Sequence, residues 1–182
     1  MTAWQHLGAV HGELRLCLAM NHWGARPALM RMFRIASRLG DGAFWYALMA
    51  ALALAGGARG LQAALQMAGT GAVAALLYRL LKRCTRRLRP FRAHADIVAH
   101  ATPLDEFSFP SGHTLHAVAF SLVALAWFPA LAPLLVPFTV LVALSRVVLG
   151  LHYPSDVAAA TLIGGVLAAL SLWLWRLMPA AA

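Results

Sequence analysis

Five apolar runs alternate with polar stretches along the 182-residue chain. Runs of about 20 apolar residues are typical of helices that cross a bilayer, where a helix satisfies its own backbone hydrogen bonds. The first run is short for a span, opens with the interfacial aromatic residues Phe44, Trp45 and Tyr46, and has Asp41 as its predicted N-cap. The pattern therefore predicts an all-α, polytopic membrane helical bundle with spans at about 43–57, 61–81, 112–128, 131–149 and 157–178.

The first 40 residues instead mix apolar and charged positions at helical spacing. This pattern is typical of amphipathic helices that lie in the membrane interface. Residues 2–21 and 27–39 are predicted to form such helices, and the arginines of the second are expected to anchor it to lipid head groups. No linker divides the chain, so 1–182 is predicted to be one domain, with an interfacial segment at 1–40 and the bundle at 43–178.

The amino-acid composition is typical of a membrane protein and limits the classes of partner that it can bind. Hydrophobic residues make up 62% of the chain and charged residues 12%, against roughly 25% charged residues in soluble domains. The formal net charge is +9, but no soluble basic domain is present to carry nucleic-acid binding. The predicted partners are therefore the bilayer and an anionic, phosphorylated substrate, with no nucleic acid. Cys17 and Cys84 have no disulfide or metal-site spacing and are interpreted as small apolar residues.

Three polar clusters interrupt the apolar pattern. With five spans, the long polar stretch 82–111 and the loop around His152 emerge on the same side of the membrane, so their side chains can meet. The second span is predicted to turn Gln62, Gln66 and Thr70 toward other helices. The three clusters are Lys82 with Arg89-Pro90, then Pro110-Ser111-Gly112-His113, and finally Ser145-Arg146 with His152 and Asp156.

The first cluster is predicted to bind an anion. Lys82 and Arg89 are about two helical turns apart, so both can reach one anion if the helix continues to Pro90. The remaining basic residues of this stretch are interpreted as an interfacial belt, and Asp105 and Glu106 as solvated loop carboxylates. The belt consists of Arg83, Arg86, Arg87 and Arg92.

The second cluster lies where a helix is predicted to begin. Helix N-termini offer free backbone N–H groups, and Gly112 allows a phosphate to approach the backbone closely. The side chain of His113, in the first turn, would lie next to the phosphate, although a capping or packing histidine fits the pattern equally well. His116, on the same face, is interpreted as a buried structural residue.

The third cluster suggests a nucleophile. Arg146 lies at the end of an apolar run. A charged side chain within the membrane has a high free-energy cost, so an arginine there indicates a function. Asp156 follows Pro154 at the start of a helix, where it can accept a hydrogen bond from one nitrogen of His152. The other nitrogen is then free to attack, as in a Ser-His-Asp triad.

Together the three clusters resemble the tripartite signature of the type 2 phosphatidic acid phosphatase (PAP2) superfamily. The match comprises Lys82 with six residues to Arg89-Pro90, the run from Pro110 to His113, and Ser145-Arg146 with five residues to His152 and three more to Asp156.

The resemblance implies a metal-independent, cofactor-free membrane-lipid phosphatase. His152 would attack phosphorus to form a phosphohistidine, Asp156 would orient it, and His113 would protonate the leaving oxygen. Substrates of relatives are undecaprenyl diphosphate, phosphatidylglycerophosphate, phosphatidate and lipid A phosphates. The phosphoryl oxygens would be held by Lys82, Arg89, Ser111, Gly112 and Arg146.

Three alternatives remain at the level of sequence. His113, His152 and Asp156 are legitimate metal ligands, although three nearby cations would repel a divalent ion. Vanadium haloperoxidases resemble the same motifs but are large soluble proteins. A channel, transporter or scaffold could use the basic pocket only to bind anionic lipid, without catalysis.

Two arguments disagree about which side of the membrane the active site faces. The arginines of the first 40 residues share the active-site face, so the positive-inside rule places the site in the cytoplasm. The family resemblance favours the periplasmic face of a bacterial inner membrane, which we adopt as the expectation.

Overall fold

A computed structural model describes residues 9–177, and within that range the chain is helical. The predicted all-α class is confirmed. A single antiparallel bridge between Leu88 and Phe107 is the one β-type pairing in this range. The helices are α1 (Ala9–Asn21), α2 (Pro27–Arg38), α3 (Phe44–Ala55), α4 (Gly57–Thr85), α5 (Pro90–Ala93), α6 (Gly112–Trp127), α7 (Ala132–Val148) and α8 (Pro154–Leu177).

Three helical segments within residues 9–177 are long and apolar enough to cross a membrane: α4, α8, and α7 together with the 3-10 turn before it. Helix α6 is apolar but has only 16 residues. Helix α3 has 12 residues, which is about 18 Å of helix against a hydrocarbon core of roughly 30 Å. The membrane bundle is confirmed, whereas the predicted count of five spans is not.

Helix α6 is the centre of the bundle, with α4, α7 and α8 packed around it. Leu115, Ala117 and Val123 on it are fully buried. On the α8 side, a Cβ at Gly164 would come within 2.7 Å of the Leu115 carbonyl oxygen. This close contact sets α8 directly against α6. The Ser111 backbone N–H also donates to the Asp156 carbonyl oxygen at 3.3 Å, so the starts of the two helices adjoin.

Two of the three polar residues on α4 that were predicted to face other helices, Gln66 and Thr70, form hydrogen bonds with residues outside α4. Thr70 Oγ1 lies 2.7 Å from Ser171 Oγ on α8, and Gln66 accepts a hydrogen bond from the Trp127 indole at 2.6 Å. Gln62 is exposed, so its predicted contact with another helix is wrong.

Helices α2 and α3 are joined by a kinked π-turn, Leu39–Ala43, in which Gly42 has φ +130°. Ala43 occupies the N-cap position of α3, and no side chain caps it. The predicted capping role of Asp41 is therefore wrong. The kink instead turns the Asp41 carboxylate toward α6, where it approaches His113.

Helix α1 packs beneath the loop that carries His152. Its buried Cys17 and Met20 join a core cluster with α2, α7 and the loop residue Leu151. Asn21 donates to the carbonyl oxygens of Val98 and Val148 at 2.9 and 3.1 Å. Helix α1 is thus part of the scaffold of the site, a role that its amphipathic pattern did not indicate. The predicted helix began at residue 2, and residues 2–8 lie outside the described range.

A glycine shapes the turn that leads from α7 to His152. Gly150 has φ +73°, and a Cβ there would lie 2.5 Å from the Val98 carbonyl oxygen. A side chain is excluded by both strain and space. The backbone N–H groups of Leu151 and His152 then turn back to donate to the Arg146 carbonyl oxygen.

Candidate active site

Lys82 and Arg89 converge on the carboxylate of Asp105. Helix α4 ends at Thr85, and Arg86 adopts a left-handed conformation with φ +46°. The helix therefore does not continue to Arg89, contrary to the sequence prediction. Instead, Lys82 Nζ and Arg89 Nη2 lie 2.6 and 2.7 Å from the same oxygen, Asp105 Oδ1.

Asp105 is therefore a site residue that sequence reasoning set aside as a solvated loop carboxylate. Burial alone would raise the pKa of its carboxyl group, but the hydrogen bonds and charges of Lys82 and Arg89 outweigh burial and lower the pKa. The lowered pKa keeps Asp105 ionised, so a fixed negative charge bridges Lys82 and Arg89 and offsets their mutual repulsion.

Arg89 also contacts His152, the predicted nucleophile. Its Nη1 donates to the Leu151 carbonyl oxygen at 2.9 Å and lies 3.1 Å from His152 Nε2. A guanidinium is always a donor, so Nε2 must be the acceptor and carry the lone pair. The ring proton of a neutral imidazole is then on Nδ1.

The surroundings of His152 favour that neutral form. The side chain is 2% exposed in the loop between α7 and α8. Burial lowers the pKa of the imidazole well below its usual value, and the positive charges of Arg146, Arg89 and Lys82 lower it further. The ring is therefore an uncharged base with its Nε2 lone pair among cations.

Asp156 lies beside the other ring nitrogen. It is fully buried in the first turn of α8, and its Oδ2 is 3.6 Å from His152 Nδ1. This separation is longer than a hydrogen bond, and Nδ1 has no bonding partner among the described residues. The two groups are adjacent as predicted, but the predicted hydrogen bond is not formed. Oδ2 instead accepts from the backbone N–H of Tyr153 at 2.8 Å.

Arg87 holds Asp156 in place from the other side. Its Nη1 lies 2.7 Å from Asp156 Oδ1, and its Nη2 lies 2.9 Å from Glu13 Oε2 on α1. The assignment of Arg87 to an interfacial belt is therefore wrong. Glu13 also accepts from the backbone N–H of Ser155 at 2.8 Å, so α1 positions the start of α8 directly.

His113 projects from the first turn of α6 toward Asp41. Its Nε2 lies 3.4 Å from Asp41 Oδ1, and its side chain is 9% exposed. His116, one turn later, has its ring nitrogens 2.8 and 3.3 Å from the carbonyl oxygens of Gly112 and Gly71. These backbone contacts fit a structural role, but the predicted burial is incomplete: His116 is half-buried and lines the adjacent cavity.

Ser111 and Gly112 begin α6. The Ser111 hydroxyl lies 3.0 Å from Thr114 Oγ1 and accepts from the Thr114 backbone N–H at 3.4 Å, so it caps the helix. It is fully buried and is not among the residues that line the adjacent cavity. Gly112 does line that cavity, where its backbone is approachable.

Arg146 is buried near the end of α7. Its Nη1 donates to the Ser37 hydroxyl of α2, and its Nε has no acceptor among the described residues. A buried donor without a partner is rare and costly. An oxygen of a bound anion would satisfy it.

Several of the side chains described above line a cavity of about 480 Å³. One end is polar, and the other is an apolar slot between α3, α4 and α6. The slot is lined by residues that include Trp45, Met49 and Phe120. The polar end carries Lys82, Arg89, Asp105, His113, Arg146 and His152.

Metal ligation was the main chemical alternative for these residues. Within residues 9–177, no three His, Cys, Asp or Glu side chains are grouped so as to hold a metal ion. The polar end of the cavity places the cations Lys82, Arg89 and Arg146 around His152.

The family model of the PAP2 superfamily matches residues 63–179, which include all three polar clusters. The chain belongs to the PAP2 superfamily. The family resemblance read from the motifs is confirmed, as is the prediction of a PAP2-type phosphatase.

Known relatives of this PAP2 protein are phosphatases. Decaprenylphosphoryl-5-phosphoribose phosphatase of Mycolicibacterium smegmatis is 39% identical over 136 residues, covering 72% of this chain and 71% of the relative. The structure of Aquifex aeolicus LpxE superposes with a TM-score of 0.78 at 24% identity, covering 95% of this chain and 99% of that one. The transmembrane PAP2-type phosphatidylglycerolphosphate phosphatase of Bacillus subtilis superposes with a TM-score of 0.73 at 23% identity, covering 97% and 91%. The two structures share the fold.

The site of this PAP2 protein contains four residues that sequence reasoning did not place there. Glu13, Asp41, Arg87 and Asp105 are far apart along the chain and match no part of the tripartite pattern. The one available signal was charge: the chain has only six acidic residues, and a carboxylate in a basic loop such as 82–111 is expected to pair.

Proposed function

We propose that this PAP2 protein hydrolyses a phosphomonoester or diphosphate of a membrane lipid through a phosphohistidine on His152. The observation that carries the proposal is the orientation of His152, whose Nε2 accepts from Arg89 at the polar end of the cavity. A nucleophile with its lone pair directed into a cluster of cations suits attack on a negatively charged phosphoryl group.

In the first step, His152 Nε2 attacks phosphorus and an N–P bond forms. The bond between phosphorus and the leaving oxygen breaks, and that oxygen takes a proton from His113. The phosphohistidine then carries a positive charge on its ring, which the buried carboxylate of Asp156 stabilises. Catalytic hydrogen bonds often tighten when a substrate binds, and we expect the 3.6 Å separation of these two groups to shorten then.

In the second step, water replaces the histidine. His113, now neutral, takes a proton from the water as its oxygen bonds to phosphorus. The N–P bond breaks, the electron pair returns to His152 Nε2, and inorganic phosphate is released. His113 is protonated again for the next substrate. Burial and the nearby guanidinium group of Arg146 disfavour that charged form, so it depends on the negative charges of the bound phosphate and of Asp41, 3.4 Å away.

The phosphoryl oxygens are held by cations and N–H groups in this proposal. Lys82 and Arg89 exchange part of their contact with Asp105 for the substrate, and Arg146 offers its unpaired Nε. Gly112 contributes backbone N–H at the start of α6. Ser111 acts by capping that helix in the observed geometry.

A lipid substrate follows from the second half of the cavity. The apolar slot adjoins the phosphoryl site, so the lipid chain can stay among α3, α4 and α6 while its phosphate reaches His152. Undecaprenyl diphosphate, phosphatidylglycerophosphate and phosphatidate are the candidate substrates.

The experiment is phosphate release from a panel of these lipids by the purified protein and its His152→Ala variant. Wild type should release phosphate in chelator and be inhibited by vanadate, a phosphate analogue. His152→Ala should lose essentially all activity, since removal of a nucleophile costs orders of magnitude in kcat.

His22→Ala is the matched control, because His22 is an exposed histidine outside the cavity. It should keep wild-type activity. Loss of activity in chelator would point to the metal alternative. Lipid binding without hydrolysis in both wild type and His152→Ala would point to a non-catalytic lipid-binding protein or transporter.

We propose further that the protein lies in a bacterial inner membrane with its active site on the periplasmic side. Ala95 is an exposed residue of the active-site loop, and Ala58 lies at the opposite end of α4. In a Cys84→Ser background, Ala95→Cys should react with a membrane-impermeant thiol reagent in intact cells, and Ala58→Cys should not. The reverse pattern would place the site in the cytoplasm.

A further inference from the structure

A second cavity, of about 820 Å³, lies between α2 and the loop segment that begins at His100. Its α2 side carries Arg31, Arg34 and Arg38, which are spaced three and four residues apart and therefore share one helix face. His100 faces them from the loop. Three guanidinium groups thus line the α2 side of the cavity, together with Pro27, Met30, Ile35 and Ser37.

This basic cavity adjoins the active site. Asp41, Leu104, His113 and Arg146 line both cavities. An anion among the α2 arginines would therefore lie next to the phosphoryl group at His152, separated from it only by these shared residues.

The positive charge of the basic cavity is largely uncompensated. All six acidic residues of the chain lie in its described part, and none forms an ion pair there with Arg31, Arg34 or Arg38. Asp41, at the junction, is the one carboxylate among the lining residues. Arg34 is partly engaged, because its Nε donates to the His100 carbonyl oxygen at 2.8 Å and so ties the loop to α2.

Anchoring to lipid head groups would explain arginines on an interfacial helix without any site. That explanation accounts for Arg15 and Arg26, which are exposed and line neither cavity. Arg31, Arg34 and Arg38 are exposed as well, but they also line a cavity that has His113 among its lining residues, which head-group anchoring alone does not require.

We infer that the basic cavity is a second anion-binding subsite, which takes a phosphate group in addition to the one at His152. The inference rests on the proposed function. Guanidinium groups bind phosphate through paired, charge-assisted hydrogen bonds. The phosphate has two possible sources: a second phosphate in the head group of the lipid substrate, or inorganic phosphate leaving the active site.

The test compares two double variants of the full-length protein in neutral detergent. Arg31→Gln with Arg38→Gln removes two charges from the subsite and leaves Arg34 to hold the loop. Arg15→Gln with Arg26→Gln removes two charges from exposed positions outside it. The substrates are a lipid with one phosphate and a lipid with two, such as phosphatidate and phosphatidylglycerophosphate, chosen as a pair that wild type hydrolyses.

The measured quantity is the ratio of kcat/KM for the two-phosphate lipid to kcat/KM for the one-phosphate lipid. We expect this ratio to fall about tenfold in the Arg31/Arg38 variant, the loss of roughly one charge-assisted contact. It should stay at the wild-type value in the Arg15/Arg26 variant. That result assigns the subsite to the head group.

An unchanged ratio with an inhibition constant for inorganic phosphate raised about tenfold, again only in the Arg31/Arg38 variant, assigns the subsite to the released product. If neither quantity moves, or if both double variants change alike, the inference is overturned. If wild type hydrolyses no lipid phosphate at all, the proposed function fails instead. Thermal unfolding of both variants at the wild-type temperature would show that the fold is intact, and Arg38→Gln alone provides a milder substitution.

Discussion

Arg89 Nη1 lies 3.1 Å from His152 Nε2, so an arginine donates to the nitrogen that we propose as the nucleophile. The contact holds the lone pair in the direction of the cavity and identifies the tautomer of the ring. It must also give way during the reaction, because the same lone pair forms the bond to phosphorus. A phosphoryl oxygen is the natural new acceptor for that N–H.

Replacement of Arg89 by lysine keeps the positive charge but removes the planar guanidinium group, so it should show how much of the activity depends on the geometry of that group. Arg89 spans Asp105, the Leu151 carbonyl oxygen and His152 through one planar group, and a single ammonium group cannot make all three contacts. We expect Arg89→Lys to lower kcat/KM about 100-fold, the typical loss for a transition-state donor. The exposed residue Arg83 provides the control Arg83→Lys, and equal activity in the two variants would contradict the role of Arg89.

The pH dependence of activity should reflect the lowered pKa of His152. We propose the neutral ring as the nucleophile, so protonation of His152 removes activity only when pH falls through the pKa of this residue in the folded protein, which lies below the usual value of about 6.5. We expect kcat/KM, which reports the free enzyme, to have no acid limb at His152 near pH 6.5. Nitrogen NMR of labelled histidine should show a neutral ring with its proton on Nδ1. A His152 ring that titrates at or above pH 6.5 would contradict the prediction.

Asp105 competes with the substrate for Lys82 and Arg89. Asp105→Asn removes one negative charge from beside two phosphate-binding cations, so we expect the inhibition constant of vanadate to fall roughly three- to tenfold, a change of about 1 kcal/mol. Glu106→Gln is the control, because Glu106 pairs at the surface with exposed Arg92. A higher inhibition constant in Asp105→Asn would show that Asp105 mainly positions the cations.

The Gly112→Ala variant tests whether a phosphate group approaches the backbone at the start of α6. A Cβ at this position would meet the Tyr78 ring at 3.7 Å, an ordinary contact, so Gly112→Ala should fold normally. The added methyl group would cover backbone N–H groups that face the cavity, and we expect kcat/KM to fall at least tenfold, about the effect of one hydrogen bond. Gly165→Ala, where a Cβ meets nothing within 4 Å, should keep wild-type activity. Full activity in Gly112→Ala would exclude close backbone contact with the phosphate.

The local signals in the sequence were sufficient to predict the helical class and the family of phosphatases. Helix α8 begins at Pro154, with Asp156 in its first turn, and α6 begins at Gly112, as the residue types predicted. Apolar periodicity and helix-start residues act over a few positions, so they can be read without knowing the fold. The end of α4 could not be read in this way, because the residues after the left-handed turn at Arg86 pair with a distant part of the loop. The Ser108 N–H donates to the Arg87 carbonyl oxygen, and Leu88 forms a bridge with Phe107.

The sequence by itself determined the helical membrane class, the family signature and the candidate nucleophile His152, because each depends on local residue type and spacing. Only the tertiary structure decided what surrounds that nucleophile. Asp105 reaches Lys82 and Arg89, and Glu13 reaches Arg87, across loops and helices that are distant in the chain. The basic cavity on α2 likewise exists only because α2 packs against α7 and the loop at His100. Ion pairs and cavities are properties of packing, and packing brings together residues that no short pattern connects.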